Sequence, residues 1–260
     1  MGFIKRILVA SVFFSIFSSI LSASDRIITI GLTPNPFAII VESMREDFEK
    51  EGYELKIVEF SDYILPNKAL SAKELDANLY QHKPFLDEYN KNTKSDLVAT
   101  TPTVIAPMAV FSKKLKNLNE LKDGSKIAIP NDPTNESRAL ELLEKAGLIK
   151  LNDKKLKTPI DIVENPKKLK FLELKAAQLP RALGDADVAV IPTNYALGAK
   201  LNPQKGLFIE DKSSLYAIVV AVEAKNKESE KTRIIKEVLK SEAVKNFVEK
   251  KYNGAVISLF

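Results

Sequence analysis

Apolar positions along the chain change period several times, and each change marks an element. Arg26–Gly31 is a β-rich run that ends in the turn Thr33-Pro34-Asn35-Pro36. Ile40, Met44 and Phe48 then recur every four residues up to Gly52, the spacing of one helix face. Tyr53, Leu55 and Ile57 alternate with charged or polar neighbours, which predicts a strand. Strand, helix and strand at this spacing predict a parallel βαβ unit with a right-handed crossover.

The same grammar returns at Ile127–Ile129, an apolar run that stops at Pro130 and is followed by turn formers. Pro133 suits a first helical position, because its missing N–H costs nothing there. Asp132 or Thr134 can supply the capping oxygen. Ala139, Leu142, Leu143 and Ala146 then follow at helical spacing until Gly147. Between these units, Asp76–Tyr80 leads into a helix start at Pro84, and Leu97–Phe111 is extended and interrupted by Pro102 and Pro107. Downstream, Pro159–Asn165 reads as a turn and helix start, Lys170–Leu174 as a strand and Gln178–Leu183 as a short helix. Ala186–Ile191 reads as a buried strand, and Leu215–Val222 as a strand returning to the first lobe. Two helices close the chain, the second capped by Ser241 and ended by Asn253-Gly254. The prediction is α/β throughout, in two lobes joined by two extended crossings. Residues 24–108 and 220–260 form lobe 1, and residues 109–219 form lobe 2.

Composition sharpens this. With 260 residues, 45% apolar and 28% charged, the chain is long enough for two cores and ordinary for a globular protein. Its +5 charge is spread through interspersed lysines and acids, so no basic face for nucleic acid is expected. Residues 1–23 have the order of a secretory signal peptide: Lys5 and Arg6, an apolar run from Ile7 to Leu21, then Ser22-Ala23-Ser24. An uncleaved anchor is the alternative, but the run is short and rich in serine. There is no cysteine, which excludes disulfides, thiolate metal sites and a lipid-modified N-terminal cysteine. The expected product is therefore exported, soluble and without a lipid anchor.

Candidate chemistry is sparse. His82 is the single histidine, so neither a transition-metal site nor a metal cofactor is expected. The serine-nucleophile, phosphate-loop, dinucleotide and zinc-protease motifs are all missing, and no acid pair stands out. What remains is a recognition set: Tyr63, Tyr80, His82 and Phe85 near strand ends, and Arg138 one turn into a helix, where the macrodipole disfavours a cation. Arg138 has two readings, an ion pair with Glu141 on the same helix face, or an anionic ligand held together with the free N–H groups of the first turn.

Six segments carry a resemblance, and they span most of the chain in order: Ser61-Asp62-Tyr63-Ile64-Leu65-Pro66-Asn67, Asp76-Ala77-Asn78 with Gln81-His82, Ile129–Asn135, Ile162–Pro166, Ala177–Leu183 and Asn194-Tyr195-Ala196. With these the chain resembles the substrate-binding proteins of methionine ABC importers, the NlpA-type methionine-binding lipoprotein family. The resemblance implies a two-lobed periplasmic binding protein that closes on methionine, a related amino acid or a short peptide. It would deliver this ligand to a membrane permease, as a monomer and without a cofactor or a reaction of its own. It also implies that Tyr63, Tyr80, His82 and Phe85 form an aromatic cage with its rim, that Arg138 clamps a carboxylate, and that Asn194 touches the ligand.

The chain departs from the family pattern at three places. The lipid-attachment cysteine is missing, Pro192 stands where the family commonly has asparagine, and Ile218 replaces an asparagine of the return strand. Those two asparagines usually contact the amino-acid head group. Proline lacks an N–H and isoleucine lacks a polar side chain, so both positions are expected to alter specificity. Two alternatives stay open, a receptor for a different carboxylate and a surface or adhesion protein reusing the fold.

Overall fold

The computed structural model describes residues 26–211 and 215–260, so the expected signal segment 1–23 lies outside the described residues. Two sheets build two lobes. The first sheet draws on β1 (Ile27–Leu32), β2 (Glu54–Glu59), β3 (Ala77–His82) and β4 (Leu97–Ile105). The second draws on β5 (Ala109–Phe111), β6 (Lys126–Pro130), β9 (Lys170–Leu174), β10 (Val188–Ile191) and β11 (Phe208–Ile209). A small ribbon pairs β7 (Lys150–Leu151) with β8 (Ile162–Glu164). The chain then re-enters the first sheet with β12 (Ala217–Glu223) and ends on β13 (Ile257–Ser258). Spatial order is β13-β4-β12-β3-β1-β2 in the first sheet and β11-β5-β10-β6-β9 in the second.

The predicted βαβ unit is present, with β1 parallel to β2 in register Ile28 to Leu55 and Ile30 to Ile57. Its helix, expected to run unbroken to Gly52, is instead two pieces, α1 (Ile39–Glu42) and α2 (Arg45–Lys50). The Ser43 hydroxyl donates to the Ile40 carbonyl at 2.7 Å, and Met44 leaves the helical region at φ −105°, ψ 11°. A side chain that bonds the preceding turn competes with the helix ladder. The apolar face survives the break, because Ile40, Met44 and Phe48 are all buried in the lobe 1 core.

Helices α3 (Leu65–Ser71), α4 (Lys83–Thr93), α8 (Glu230–Leu239) and α9 (Glu242–Tyr252) also belong to this lobe. Ser241 caps α9, and Asn253 and Gly254 leave it through positive φ, as the sequence predicts. In the second lobe α5 (Pro133–Lys145) buries Ala139, Leu140, Leu142 and Leu143 against β6 and β10. Asp132 caps it, accepting from the Asn135 N–H at 3.0 Å. Two short helices, α6 (Leu179–Ala182) and α7 (Thr193–Gly198), flank β10.

Two expectations need correction. Pro159 starts a single 3-10 turn and no longer helix, because the Asp161 carboxylate closes that turn on the Thr158 N–H (2.9 Å) and hydroxyl (3.0 Å). β-branched Ile162 and Val163 then extend as β8, where such residues fit better. The return strand pairs in the first sheet from Ala217 onward, so this crossing ends before residue 220. The first crossing is Ala106-Pro107-Met108, between β4 and β5.

Candidate functional site

The cleft lies where strands of both lobes end. β1 and β3 finish at Leu32 and His82 in one lobe, and β6 and β10 at Pro130 and Ile191 in the other. Open α/β sheets gather ligands at such carboxyl ends. β12 runs antiparallel to β3 with Ile218 opposite His82, which brings its start to the same edge. Between the lobes is a narrow cleft lined by Phe37, Tyr63, Tyr80, Gln81, His82, Phe85, Ala106, Asn135, Arg138, Pro192, Thr193, Asn194 and Ile218. All eight positions named from sequence meet there: Tyr63, Tyr80, His82, Phe85, Arg138, Asn194, Pro192 and Ile218.

The aromatic wall is held from behind. Asp62 accepts from the Ile64 and Leu65 N–H groups at 2.6 and 2.9 Å, and that turn presents Tyr63. Three buried amides, Asn67, Asn78 and Gln81, bond one another at 2.7–2.9 Å and tie α3 to β3. Tyr80 and His82 alternate on β3 and so share a face. The Tyr80 hydroxyl donates to the Tyr63 carbonyl at 2.9 Å. Tyr63, Tyr80 and Phe85 then stand 5.9–6.1 Å apart, two of the three contacts edge-on, the geometry ring quadrupoles favour. Burial pushes both phenols well above their usual range, so they stay neutral.

The hydrogen bonds of His82 fix its tautomer. Nδ1 caps α4 by accepting from the Phe85 N–H at 3.2 Å, which leaves the proton on Nε2 to donate to Asn135 Oδ1, also at 3.2 Å. Burial first and the Arg138 charge second lower its pKa to about 3, so the ring is neutral at any physiological pH. Asn135 is oriented in turn, since its Nδ2 donates to both Asp132 oxygens at 3.0 and 3.1 Å. The first turn of α5 is therefore already capped by Asp132, and a ligand does not have its Asn135 N–H free.

Arg138 does not pair with Glu141, which instead takes Lys157 at 3.0 Å and the Tyr216 hydroxyl at 3.1 Å. Its guanidinium forks onto buried Glu210 through Nε (3.0 Å) and Nη2, and Nη2 also donates to the Ala106 carbonyl at 3.1 Å. The Tyr216 ring covers it at 4.5 Å. Nη1 is left with no protein partner among the described residues and belongs to a side chain that lines the cleft. Across the cleft mouth, the Tyr63 hydroxyl donates to Asn194 Oδ1 at 2.6 Å and the Tyr195 hydroxyl to the Ser61 carbonyl at 3.0 Å. Thr193 donates its hydroxyl to the Pro107 carbonyl.

The family model described as NlpA lipoprotein matches residues 28–260. The chain belongs to the NlpA lipoprotein family. Among curated members, D-methionine-binding lipoprotein MetQ of Salmonella typhi is 48% identical over 214 residues, 80% of this chain and 79% of that one. Outer membrane lipoprotein 3 of Mannheimia haemolytica is 40% identical over 98% of both chains. Among solved structures, a nutrient-binding protein from Burkholderia cenocepacia bound to methionine superposes with TM-score 0.87 at 43% identity, covering 90% of this chain and all of that one. An ABC transporter periplasmic substrate-binding protein from Coxiella burnetii gives 0.85 at 41%, over 89% and 99%. The NlpA fold is thus two-lobed here as in these relatives, with solute binding as the family's business.

The sequence reading did not single out four residues that build this site. Phe37, Asn135, Glu210 and Tyr216 carry no spacing signal of their own. Asn135 was within reach, because it lies one turn before Arg138 on a helix that the pattern predicts. Glu210 was not, because its partner is 72 residues away. Among the described residues no group of His, Asp and Glu could hold a metal ion, and no helix is long and apolar enough to cross a membrane.

Proposed function

We propose that this chain is the exported solute receptor of an ABC importer, and that it closes on methionine or a related amino-acid carboxylate and hands it to a membrane permease. The observation that carries the reading is one cleft with an aromatic wall, Tyr63, Tyr80 and Phe85, and a buried guanidinium edge, Arg138 Nη1, free to meet a carboxylate. Aromatic edges suit a thioether, and a guanidinium suits a carboxylate. The Salmonella relative is a D-methionine-binding lipoprotein and the Burkholderia protein is bound to methionine, which supports the same ligand chemistry. No reaction is assigned, since the cleft groups are already engaged in positioning one another. We further propose a monomer in the periplasm, without a lipid anchor, because the sequence has no cysteine to carry one.

The test is to identify by mass spectrometry the small molecule released when the purified protein is unfolded, and then to titrate that compound by calorimetry. A carboxylate with a thioether or similar apolar side chain is expected. A sugar, a polyamine or a cation as the tight ligand would overturn the reading.

A further inference from the structure

Folding gathers charge that the sequence intersperses. The lobe 2 sheet turns the ends of β6 and β10 to the cleft, so the starts of β6, β9 and β10 and the end of β5 form its far edge. Three segments meet there, 112–126, 165–170 and 184–187. Gly124 donates its N–H to the Lys167 carbonyl at 2.8 Å, Lys170 to the Ser125 carbonyl at 2.9 Å and Asp187 to the Lys126 carbonyl at 2.9 Å. The Ser112 hydroxyl donates to the Asp187 carbonyl at 2.7 Å. Two of the segments carry the run Lys-Lys-Leu-Lys, at 113–116 and 167–170. In each the leucine is the anchor: Leu115 packs on the lobe 2 core and Leu169 is buried in it, which holds lysines on either side at the surface.

These segments hold eight lysines against four acids, a net charge of +4. Removal of Lys5 and Arg6 with the expected signal segment lowers the chain's +5 to +3, so everything outside the pole sums to −1. The acids at the pole are partly used. Asp187 accepts from the Lys126 N–H at 2.8 Å and faces Lys114 at 3.6 Å, and Glu120 accepts from the Lys116 N–H and the Asn117 amide. Lys113, Lys116, Lys122, Lys126, Lys168 and Lys170 are exposed, and their ammonium groups have no acidic partner among the described residues. Lobe 1 is different: Arg45, Lys50, Lys83, Lys231 and Arg233 each sit on a carboxylate.

An unpaired cationic pole fits an extended anionic surface. The family is one of lipoproteins, but this sequence has no cysteine to carry a lipid. We propose that the far pole of lobe 2 docks reversibly on a bilayer bearing anionic phospholipid headgroups, and that this contact keeps the exported chain at the membrane in place of an acyl anchor. The inference rests on the reading of an exported, lipid-free receptor and adds how that receptor is retained. Each lysine near such a surface strengthens partition by about five-fold, and the attraction fades within about 10 Å at ordinary salt. Pole and cleft lie at opposite edges of one sheet, so docking leaves the cleft uncovered.

The test is sedimentation of the purified exported protein with vesicles of phosphatidylcholine alone, or of phosphatidylcholine with phosphatidylglycerol, across a salt series. Binding only to the vesicles with phosphatidylglycerol is expected, weakened ten-fold or more between about 0.05 and about 0.5 M salt. The variant Lys113→Gln/Lys116→Gln/Lys168→Gln/Lys170→Gln should bind them at least a hundred-fold more weakly than wild type. A control, Lys56→Gln/Lys68→Gln/Lys227→Gln/Lys250→Gln, removes the same charge from exposed positions of lobe 1 and should lose ten-fold or less. The wild-type lipid and salt series decides even where a variant is unstable. Equal binding to both vesicle types, equal losses in the two variants, or retention on heparin through the pole without vesicle binding would overturn the inference and leave the solute-receptor reading standing. Protein that leaves cell membranes only with detergent, and not with salt, would overturn the lipid-free reading and the inference with it.

Discussion

Arg138 holds a buried ion pair and is the proposed carboxylate contact, and removing it tests both at once. Its side chain is 4% exposed and that of Glu210 7% exposed, and the two are locked by a bidentate contact. Cutting Arg138 back to methionine leaves the Glu210 carboxylate buried with a single donor, the Met108 N–H at 3.1 Å. Breaking one side of a buried pair costs about 3–5 kcal/mol, because the surviving charge is uncompensated. At about 2–4 °C per kcal/mol for a chain of this size, the unfolding midpoint should fall by about 6–20 °C. The double variant Arg138→Met/Glu210→Gln removes both charges, keeps an acceptor for Met108, and should recover most of that loss. Ligand affinity should not recover with it, since the carboxylate partner is still missing. Thermal and urea unfolding of the wild type, both single variants and the double, each with a ligand titration, separate the two roles. A midpoint within about 2 °C of wild type for Arg138→Met, or a double variant no more stable than the single, would refute the reasoning.

His82 stays neutral when folded, with its pKa lowered to about 3, but takes a proton near 6.5 when unfolded. Its contribution is whole above pH 6.5 and is lost as pH falls towards 3, up to about 2 kcal/mol between pH 7 and 5. His82→Asn keeps the cap of α4 and should flatten that part of the urea-midpoint profile; an unchanged slope would contradict the assignment. Glu136 has the opposite sign. Burial, helped by Glu173 and Asp132, raises it to about 7, and its Oε1 has no hydrogen-bond partner. Stability is therefore greatest below about 4.5 and is lost as pH rises through 7, so Glu136→Gln should stabilise by about 1–3 kcal/mol at pH 8 and by less at pH 5. Tyr63→Phe deletes the 2.6 Å bond to Asn194 across the mouth and should weaken ligand binding by about 0.5–1.5 kcal/mol with little change in unfolding midpoint.

Period and punctuation made most of the fold legible. Ile40, Met44 and Phe48, or Ala139, Leu142 and Leu143, declare a buried face whichever way the local ladder bends. The break at Ser43 was hidden because it depends on one hydroxyl choosing a carbonyl, which leaves the apolar spacing intact. Short pairings such as β7 with β8 and β11 with β5 were illegible for a different reason. Two-residue strands have no period, and their partners come from distant segments. The cleft was visible through residues at strand ends, with Tyr63, His82 and Arg138 each in a turn-flanked position. Its electrostatics were not. Proximity in sequence favours Glu141 as the partner of Arg138, but helix geometry sends Glu141 towards Lys157 and leaves Arg138 facing the crossings.

That last placement says how recognition and closure are joined. Arg138 donates to Ala106 in the first crossing, forks onto Glu210 at the start of the second, and lies under Tyr216 at its end. Glu210 in turn accepts from Met108, so one guanidinium–carboxylate pair staples both crossings. The contacts at the mouth are different in kind: Tyr63 to Asn194, Tyr195 to Ser61 and His82 to Asn135 join lobe to lobe with neutral hydrogen bonds. Each is worth about 0.5–1.5 kcal/mol, a small sum beside the cost of breaking the buried pair. Opening the cleft therefore has to part the mouth and keep the staple, with rotation about the crossings. A ligand carboxylate on Nη1 would meet a group that belongs to the second lobe and is held against both crossings. The aromatic wall would close on it from the first lobe and meet Asn194 through Tyr63, so affinity and closure draw on the same few residues.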